Sequence, residues 1–502
     1  MRYVIKPPGS PSALRENLSY GSQTDRFSKY GLWFSYAAFI AAYALFFFIW
    51  PAQSLPVDVF AANVFLVAVC CLPLALWKSR GGRNLPMFEL ICLAYGVNFG
   101  LVGQLLPNSI IILSQRINFD WDGLLKATVL STLGVASLIS GYELTRRNKL
   151  MRWVRLVISM DLPTDSRRIN YYLAGAPLLS IVALFLQGST ANDGRFGALT
   201  QVIGGQLYLA IVLLSYRFYD VRQRTHFITC FFFLAVVMAV VLGLSTGFLE
   251  QAVAPIVLVA IVRWHASRKF PVALVTCLVA VLVLLNSVKA SYRQSSWFGE
   301  QGDFGSRVAL WLDLASENVG TIADGDGQTV DDATDVLWKR FDLLHKFVWV
   351  LKKTPTDIPY YGGATYSYLL YGWIPRLVWP DKPSASEGAS YRTDVDYQFV
   401  TPDSVGKTNI GIGFLPESYA NFGIWGTVFV MALQGACFAL LDRLLNGPQS
   451  QGGRAIYLAL MIFFLNGIGS STVTLFGAVF QLVLANGIIL RFFATSWRLK
   501  PR

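Results

Sequence analysis

The sequence predicts an all-α polytopic membrane protein with about twelve transmembrane helices and one large extracytoplasmic loop. Hydrophobic residues make up 54% of the 502-residue chain and charged residues only 14%, whereas a soluble protein carries about 25% charged residues. Apolar runs of the roughly 20 residues that cross a bilayer as a helix recur along the chain. This pattern is interrupted at length only between residues 291 and 416.

The predicted spans account for most of the sequence. They lie near residues 31–50, 57–77, 87–106, 124–144, 170–188, 199–216, 227–246, 250–264, 271–289, 417–441, 455–470 and 473–491. The first run is too long for a signal-peptide core and is followed by Trp50 and Pro51, so we expect it to remain as a helix. The chain then divides into a tail (1–30), nine spans (31–290), a loop domain (291–416), three spans (417–491) and a second tail (492–502).

The distribution of basic residues predicts the orientation of the chain. Lys and Arg are retained on the cytoplasmic side of short loops, and every alternate connection here is basic, while the short loops of opposite parity hold only Arg116, Lys126 and Arg195. We therefore expect both termini in the cytoplasm and residues 291–416 outside it. The net charge of +12 is explained by topology, so we expect no nucleic-acid partner.

Cysteine and histidine usage gives no support for a disulfide framework or a metal centre. All six cysteines fall inside hydrophobic runs, where Cys behaves as a small apolar residue. The three histidines are scattered, and only His345 lies in the large loop. The acidic stretch 324–335 has the oxygen ligands that a hard cation prefers, but it is more typical of a solvated turn. We expect no metal and no cofactor.

The large loop contains a predicted amphipathic helix over residues 333–353. Its apolar residues recur at helical spacing at Leu337, Phe341, Leu344, Phe347 and Leu351. Thr354 and Pro355 should end it. Such a helix either packs on the loop's own core or lies in the membrane interface. The next apolar run, residues 366–375, is too short to cross a bilayer, so we expect an interfacial or re-entrant segment.

Basic residues at the edges of this loop form a candidate phosphate site. Lys289 and Arg293 share one helix face at the end of the ninth span, and Arg376 and Lys382 bracket a proline-stiffened segment. Arg340 lies on the amphipathic helix. Singly, each side chain could equally snorkel to a lipid headgroup or pair with an acid such as Asp381. Together they indicate phosphate binding, because Arg presents a planar fork to phosphate oxygens and Lys a point charge.

A second candidate cluster opens the tenth span. Glu417, Tyr419 and Asn421 lie within the string PESYANFGIWG. Glu417 follows Pro416, so it fits a helix N-terminal acid that interacts favourably with the helix dipole. A carboxylate at a membrane surface is also a candidate general base.

Four strings across this region carry a resemblance to a known family. They are VKASYR (288–293), TPTDIPYYGGATY (354–366), IPRLVWPDKP (374–383) and PESYANFGIWG (416–426). Their order, in a polytopic chain with one large external loop before the last three spans, resembles the Wzy-type O-antigen and oligosaccharide repeat-unit polymerases of bacterial envelopes. The resemblance covers roughly residues 285–430.

The resemblance implies a GT-C-like glycosyltransferase of the bacterial inner membrane with a periplasmic active site. Such an enzyme transfers a growing glycan from undecaprenyl pyrophosphate to an incoming lipid-linked repeat unit, with no metal or sugar nucleotide. Its partners are undecaprenyl pyrophosphate-linked oligosaccharides, membrane lipids, and a flippase and chain-length regulator of the same pathway. The implied catalytic residues are Glu417, Arg376 and Asp381, and the implied pyrophosphate- or glycan-binding residues are Lys289, Arg293, Arg340, His345, Lys382, Tyr419 and Asn421.

Two other classes of protein fit the same sequence. An O-antigen ligase would share the fold and the donor and would differ only in the acceptor. A flippase or other transporter of lipid-linked glycans would keep its polar groups near the bilayer midplane, where Glu89 and Asn98 are the notable ones.

Overall fold

The computed structural model describes residues 31–51, 54–82, 84–113, 115–148, 167–189, 197–245, 249–267, 269–298, 304–323, 338–371, 374, 379, 381–382, 391–402, 411–447 and 451–494. The α-helices of these residues are α1 (Gly31–Ile49), α2 (Val57–Ser79), α3 (Met87–Leu105), α4 (Trp121–Arg147), α5 (Arg167–Ser189), α6 (Gly197–Tyr219), α7 (His226–Ser245), α8 (Leu249–Ser267), α9 (Val272–Phe298), α10 (Phe304–Ala323), α11 (Leu344–Lys353), α12 (Tyr391–Asp396), α13 (Phe414–Leu445), α14 (Gln451–Gly467) and α15 (Thr472–Ala494). A small hairpin of β1 (Ser109–Ile112) and β2 (Gln115–Asn118) joins α3 to α4.

The predicted membrane-spanning character is confirmed in its coarse form. Within the described residues, nine helices are long and apolar enough to cross a membrane, namely α1, α2, α3, α4, α6, α7, α8, α13 and α15. The other three predicted spans coincide with α5, α9 and α14. The total of twelve crossings and the GT-C-like architecture stay predictions.

Helix α4 shows why these segments end where they do. Asp122 lies in its first turn, and Arg146 and Arg147 lie in its last. Acids near the N-terminus and cations near the C-terminus both interact favourably with the helix dipole. The charged residues of α4 therefore lie near the two ends of the span, and the uncharged residues lie between them.

Glycines allow α4 and α13 to pack with their backbones in contact. A Cβ added at Gly141 of α4 would overlap the carbonyl oxygen of Ala432, and one added at Gly435 of α13 would overlap that of Leu138. Small residues at such crossings are typical of membrane helices, whose association depends on close van der Waals packing. Among the described helices, these two share the most extensive contact.

One end of the bundle is held by a buried polar cluster. Asp442 of α13 accepts hydrogen bonds from Tyr457 at 2.9 Å, from Asn446 at 2.7 Å and from Tyr142 at 3.3 Å. Asn446 also donates to the carbonyl oxygen of Leu85 at 2.9 Å. These contacts join α4, α13 and α14 to the connection before α3. The loops at this end are those that the charge distribution assigns to the cytoplasm.

Helix α11 covers the opposite end of the bundle. Leu344 faces Gly103 of α3, and Val348 faces Gly123 at the start of α4. The helix ends at Lys353 with Thr354 as its C-terminal cap, as the sequence predicts. The predicted helix is interrupted, because residues 338–340 are helical and a break over 341–343 separates them from Leu344. Residues 333–337 lie outside the described part of the chain.

The segment after α11 packs against a kink in α13. The backbone N–H groups of Tyr361 and Gly362 donate to the carbonyl oxygens of Ala420 and Asn421, both at 3.0 Å. Those carbonyls are available because α13 leaves helical geometry at Phe422 and Gly423, where Gly423 has a φ of +64°. A 3₁₀ helix (Ala364–Leu370) then continues along α15.

Candidate functional site

A cavity of about 950 Å³ lies between the helices and the turn before α11. Its floor is apolar and comes from α3, α8, α9 and α14, through Ala94, Val97, Val253, Ala254, Val257, Leu282, Ile462 and Leu465. Its charged lining is Arg116, Glu250, Lys339, Arg340, Asp342 and Lys346. A cavity with both surfaces has the chemistry to hold a ligand that joins an anionic group to an apolar chain.

An irregular turn in α3 helps to shape this cavity. Residues Gly96–Leu101 form a π-helical segment within the span, and such segments are frequent at functional sites. Asn98 lies on this segment and lines the cavity, while its carbonyl oxygen accepts the N–H of Leu343 at 3.3 Å. The break before α11 is thereby fixed against α3.

The lining has more basic than acidic side chains. Four of its residues are cationic and two carry carboxylates. Arg116, on β2, is exposed and has no ion-pair partner among the described residues. A cavity with low-dielectric walls focuses such charge. Its electrostatics therefore favour an anion.

Lys346 is the most buried of these cations. Its Nζ donates to the carbonyl oxygen of Gly411 at 3.2 Å and lies 5.8 Å from the centre of the Phe399 ring. An ammonium group has three donors, and this is its only hydrogen bond within the described residues. Burial lowers the pKa of Lys346 below its ordinary value, and the nearby Asp342 and Asp394 carboxylates oppose that change. A bound anion would supply the counter-charge that no carboxylate of the described residues provides within 4 Å of the ammonium.

An ion pair joins two sides of the cavity. Arg340, the last helical residue before the break that precedes α11, donates to Oε2 of Glu250 in the first turn of α8 at 3.2 Å. The Arg340 side chain is 36% exposed and that of Glu250 40%. Exposed pairs of this kind contribute only about 0–1 kcal/mol to stability. The contact is therefore easily exchanged for one to a ligand.

The second carboxylate of the lining, that of Asp342, is hydrogen-bonded to His345. Asp342 accepts a hydrogen bond from the backbone N–H of His345 at 3.0 Å, and its two oxygens lie 2.9 and 3.0 Å from Nδ1 of that ring. His345 is fully buried and stacks on Phe119, and its Nε2 has no hydrogen-bond partner within the described residues. His345 is not part of the cavity lining, so the structure places it behind Asp342, where it positions the carboxylate.

Glu417 and Asn421 lie in a separate buried cluster. Oε1 of Glu417 accepts a hydrogen bond from Thr365 at 2.9 Å, and Oε2 accepts one from the backbone N–H of Thr472 at 2.6 Å. Asn421 donates to Thr365 Oγ1 and to the Glu417 carbonyl oxygen, both at 2.8 Å, and accepts from the N–H of Gly363 at 3.0 Å. The cluster ties α13, α15 and the 3₁₀ segment together.

The turn between α14 and α15 separates this cluster from the cavity. Ile468, Gly469 and Ser470 line the cavity, while Thr472, two residues further on, binds Glu417. The Glu417 carboxylate is thus one short turn away from the cavity, with both oxygens engaged in protein hydrogen bonds. Its general-base role stays a prediction, and its contacts favour a structural function.

The remaining predicted site residues are dispersed. Tyr419 packs against Phe347 and Tyr360. Lys382 is buried and donates to the carbonyl oxygen of Ile374 at 2.7 Å, while Asp381 beside it is exposed. Arg376 lies outside the described residues, as do the side chains of Lys289 and Arg293 on α9. Among the predicted residues that the structure describes, Arg340 is the one that lines the cavity.

Five charged residues of the cavity lining, Arg116, Glu250, Lys339, Asp342 and Lys346, are not among the site residues predicted from the sequence. Arg116 is an exception to the charge pattern, Lys339, Asp342 and Lys346 are polar residues of the predicted amphipathic helix, and Glu250 is simply the first residue of the predicted eighth span. Their location in the sequence could have identified them, because each lies in a loop or near a helix end that the alternation of basic loops assigns to the extracytoplasmic side. Among the described residues, no group of three or more His, Cys, Asp or Glu side chains could hold a metal ion.

The fold places the chain in the class of polytopic helical membrane proteins. The family model described as "Domain of unknown function (DUF8712)" matches residues 146–495, and the chain belongs to that family. The match includes most of the cavity and the whole Glu417 cluster, while Arg116 and α3 lie before it. No curated protein and no solved structure matches the chain.

Proposed function

We propose that this protein is a membrane glycosyltransferase that polymerises glycan repeat units carried on undecaprenyl pyrophosphate. The observation that carries the proposal is the cavity, whose basic wall meets an apolar floor built from membrane helices. A polyprenyl pyrophosphate has the matching chemistry, since its headgroup is anionic and its chain is apolar. The resemblance of residues 285–430 to Wzy-type polymerases supplies the reaction.

In this proposal, the basic residues bind the pyrophosphate and stabilise its charge as it leaves. Arg340 contributes from just before the break that precedes α11, Lys346 from α11 itself, and Arg116 from the hairpin. Positioned donors that meet charge developing in a transition state are worth about 10² to 10³ in rate each. These cations take the part that a metal ion plays in other phosphate-leaving reactions, so the proposed enzyme needs no divalent cation and no cofactor.

The proposed setting is the bacterial inner membrane, with the cavity on the periplasmic side. The loops around the cavity are those that the basic-residue pattern assigns to the outside. A flippase of the same pathway would deliver the lipid-linked units, and a chain-length regulator would act on the product. The proposed lipid-linked substrate would enter with its chain along the apolar floor.

A transfer assay tests the proposal against its alternatives. Purified protein in liposomes, in the presence of a chelator, receives lipid-linked repeat units of which a fraction carries a labelled glycan, with and without lipid A core. Formation of labelled polymer between lipid-linked units supports the proposal. Transfer only to lipid A core would indicate an O-antigen ligase. Translocation without any transfer would indicate a transporter, and either result would overturn the polymerase assignment.

A further inference from the structure

Glu250 is the one carboxylate of the described cavity lining that is free to meet a substrate. The other, Asp342, is buried and holds both the ring and the backbone N–H of His345. The Glu250 side chain is 40% exposed, and its carboxylate forms the Arg340 ion pair through Oε2. A general base needs an accessible carboxylate within reach of the proton that it removes. Glu250 meets the accessibility requirement and Asp342 does not.

The partner of Glu250 belongs to the same basic wall that would bind the donor. Arg340 and Glu250 are both more than one-third exposed, and an exposed pair is held only weakly. A pyrophosphate offers Arg a bidentate contact with more charge than one carboxylate does. Donor binding would therefore draw Arg340 away from Glu250 and leave that carboxylate unpaired.

We propose that Glu250 is the base that activates the acceptor hydroxyl and that Arg340 restrains it until the donor is bound. This inference rests on the proposed function and extends it to the acceptor side of the same cavity. The acceptor hydroxyl gives its proton to Glu250, and its oxygen forms a bond to the anomeric carbon of the donor sugar. The bond from that carbon to the pyrophosphate oxygen breaks, and the electron pair leaves with the lipid pyrophosphate. Glu250 then returns the proton to water.

In this arrangement Arg340 exchanges between the Glu250 carboxylate and the donor pyrophosphate, so the base is released only when the donor is bound. Before the donor arrives, the carboxylate is engaged by Arg340. After the donor arrives, the base is released beside the sugar that it serves. Without the donor, water in the cavity therefore meets a carboxylate that is paired with Arg340.

Glu250 also has a purely structural interpretation, which the test must separate. An acid in the first turn of α8 interacts favourably with the helix dipole, and an ion pair can simply join two elements. Asp122 provides a matched control, because it lies in the first turn of α4 and forms an exposed pair with Lys126 at 2.7 Å. Asp122 is not part of the cavity lining.

The experiment measures donor affinity and the rate of transfer at saturating donor for wild type, Glu250→Gln, Glu250→Asp and Asp122→Asn. Undecaprenyl pyrophosphate in nanodiscs is the binding probe, and lipid-linked repeat units are the substrates. We expect Glu250→Gln to lose turnover by roughly 100-fold or more while binding the probe at least as tightly as wild type, since Arg340 is no longer shared. Glu250→Asp keeps a carboxylate and should retain part of the rate, and Asp122→Asn should match wild type.

Three results would overturn the inference. Normal turnover by Glu250→Gln, beside an active wild-type protein, would show that Glu250 is structural and would leave the proposed function intact. An equal loss in Glu250→Gln and Glu250→Asp, with the probe no longer bound, would likewise assign the residue to the structure of the cavity. Absence of transfer by the wild-type protein would remove the proposed function and this inference together.

Discussion

The Oε2 atom of Glu417 in α13 accepts the backbone N–H of Thr472, the first residue of α15, at 2.6 Å. The first N–H groups of a helix have no partner within the helix, and a carboxylate there is further favoured by the helix dipole. Oε1 is occupied by Thr365. A carboxylate on one helix thus caps another and holds the 3₁₀ segment beside both.

Glu417→Gln should therefore lower stability. The amide can still form two hydrogen bonds, but it loses the charge that strengthens them, so we expect a loss of about 1–2 kcal/mol. Thermal unfolding in detergent measures it, and Glu317→Gln, an exposed acid on α10, is the control. Unchanged stability together with abolished transfer would instead support the catalytic role that the sequence predicts.

Anion binding should weaken at alkaline pH because of Lys346. Burial holds the pKa of this ammonium below its ordinary value of 10.5, so its charge is present below the lowered pKa and is lost as the pH rises through it. Arg keeps its charge throughout this range. Titrations of undecaprenyl pyrophosphate binding should show an alkaline loss in wild type that Lys346→Arg moves to higher pH. The same alkaline loss in both proteins would exclude Lys346 as its source.

Because α4 packs closely on α13, adding one methyl group at their contact should strongly lower the stability of the protein. Gly141→Ala would force a Cβ into the Ala432 carbonyl, and overpacking of this kind costs about 1–3 kcal/mol or more. Gly175→Ala on α5 meets no atom within 4 Å and should be neutral or slightly stabilising. Detergent thermal stability and membrane expression should separate the two variants. Equal behaviour would contradict the described contact between the helices.

The two asparagines that bracket α4 test the orientation. Asn118 lies on β2 and Asn148 follows the last turn of α4, and both are exposed. In a protein whose native cysteines are replaced, an impermeant thiol reagent should label Asn118→Cys in intact spheroplasts and leave Asn148→Cys unlabelled until the membrane is opened. The reverse pattern would place the cavity on the cytoplasmic side.

Hydropathy and cap residues were sufficient to predict most of the helical framework. The apolar runs of α2 and α7 admit no other structure in lipid, and Thr354 with Pro355 marked the end of α11 correctly. The beginning of α11 could not be predicted, because the break is set by tertiary contacts, the Leu343 N–H to Asn98 and the Asp342 carboxylate to His345. The spacing of apolar residues along the sequence cannot reveal either contact.

The sequence predicted the chemical character of the candidate site, but only some of its residues. The sequence indicated basic side chains at the outer ends of the spans, and Arg340 is among those that line the cavity. Arg116, Glu250 and Lys346 come from three distant parts of the chain, so no local string joins them. Glu417 and Asn421 were noticed because they cluster in one string, but the fold engages them in hydrogen bonds between helices.

The affinity of the cavity for undecaprenyl pyrophosphate tests the central claim most directly. The comparison is between wild type, Lys346→Gln and Lys352→Gln, the last being an exposed lysine of the same helix outside the cavity lining. A hydrogen bond to a charged group is worth about 1.5–3 kcal/mol, so Lys346→Gln should bind the lipid roughly 10- to 100-fold more weakly, while Lys352→Gln binds it as wild type does. Equal affinity in all three proteins, or no binding by any, would contradict the claim that this cavity receives the lipid pyrophosphate.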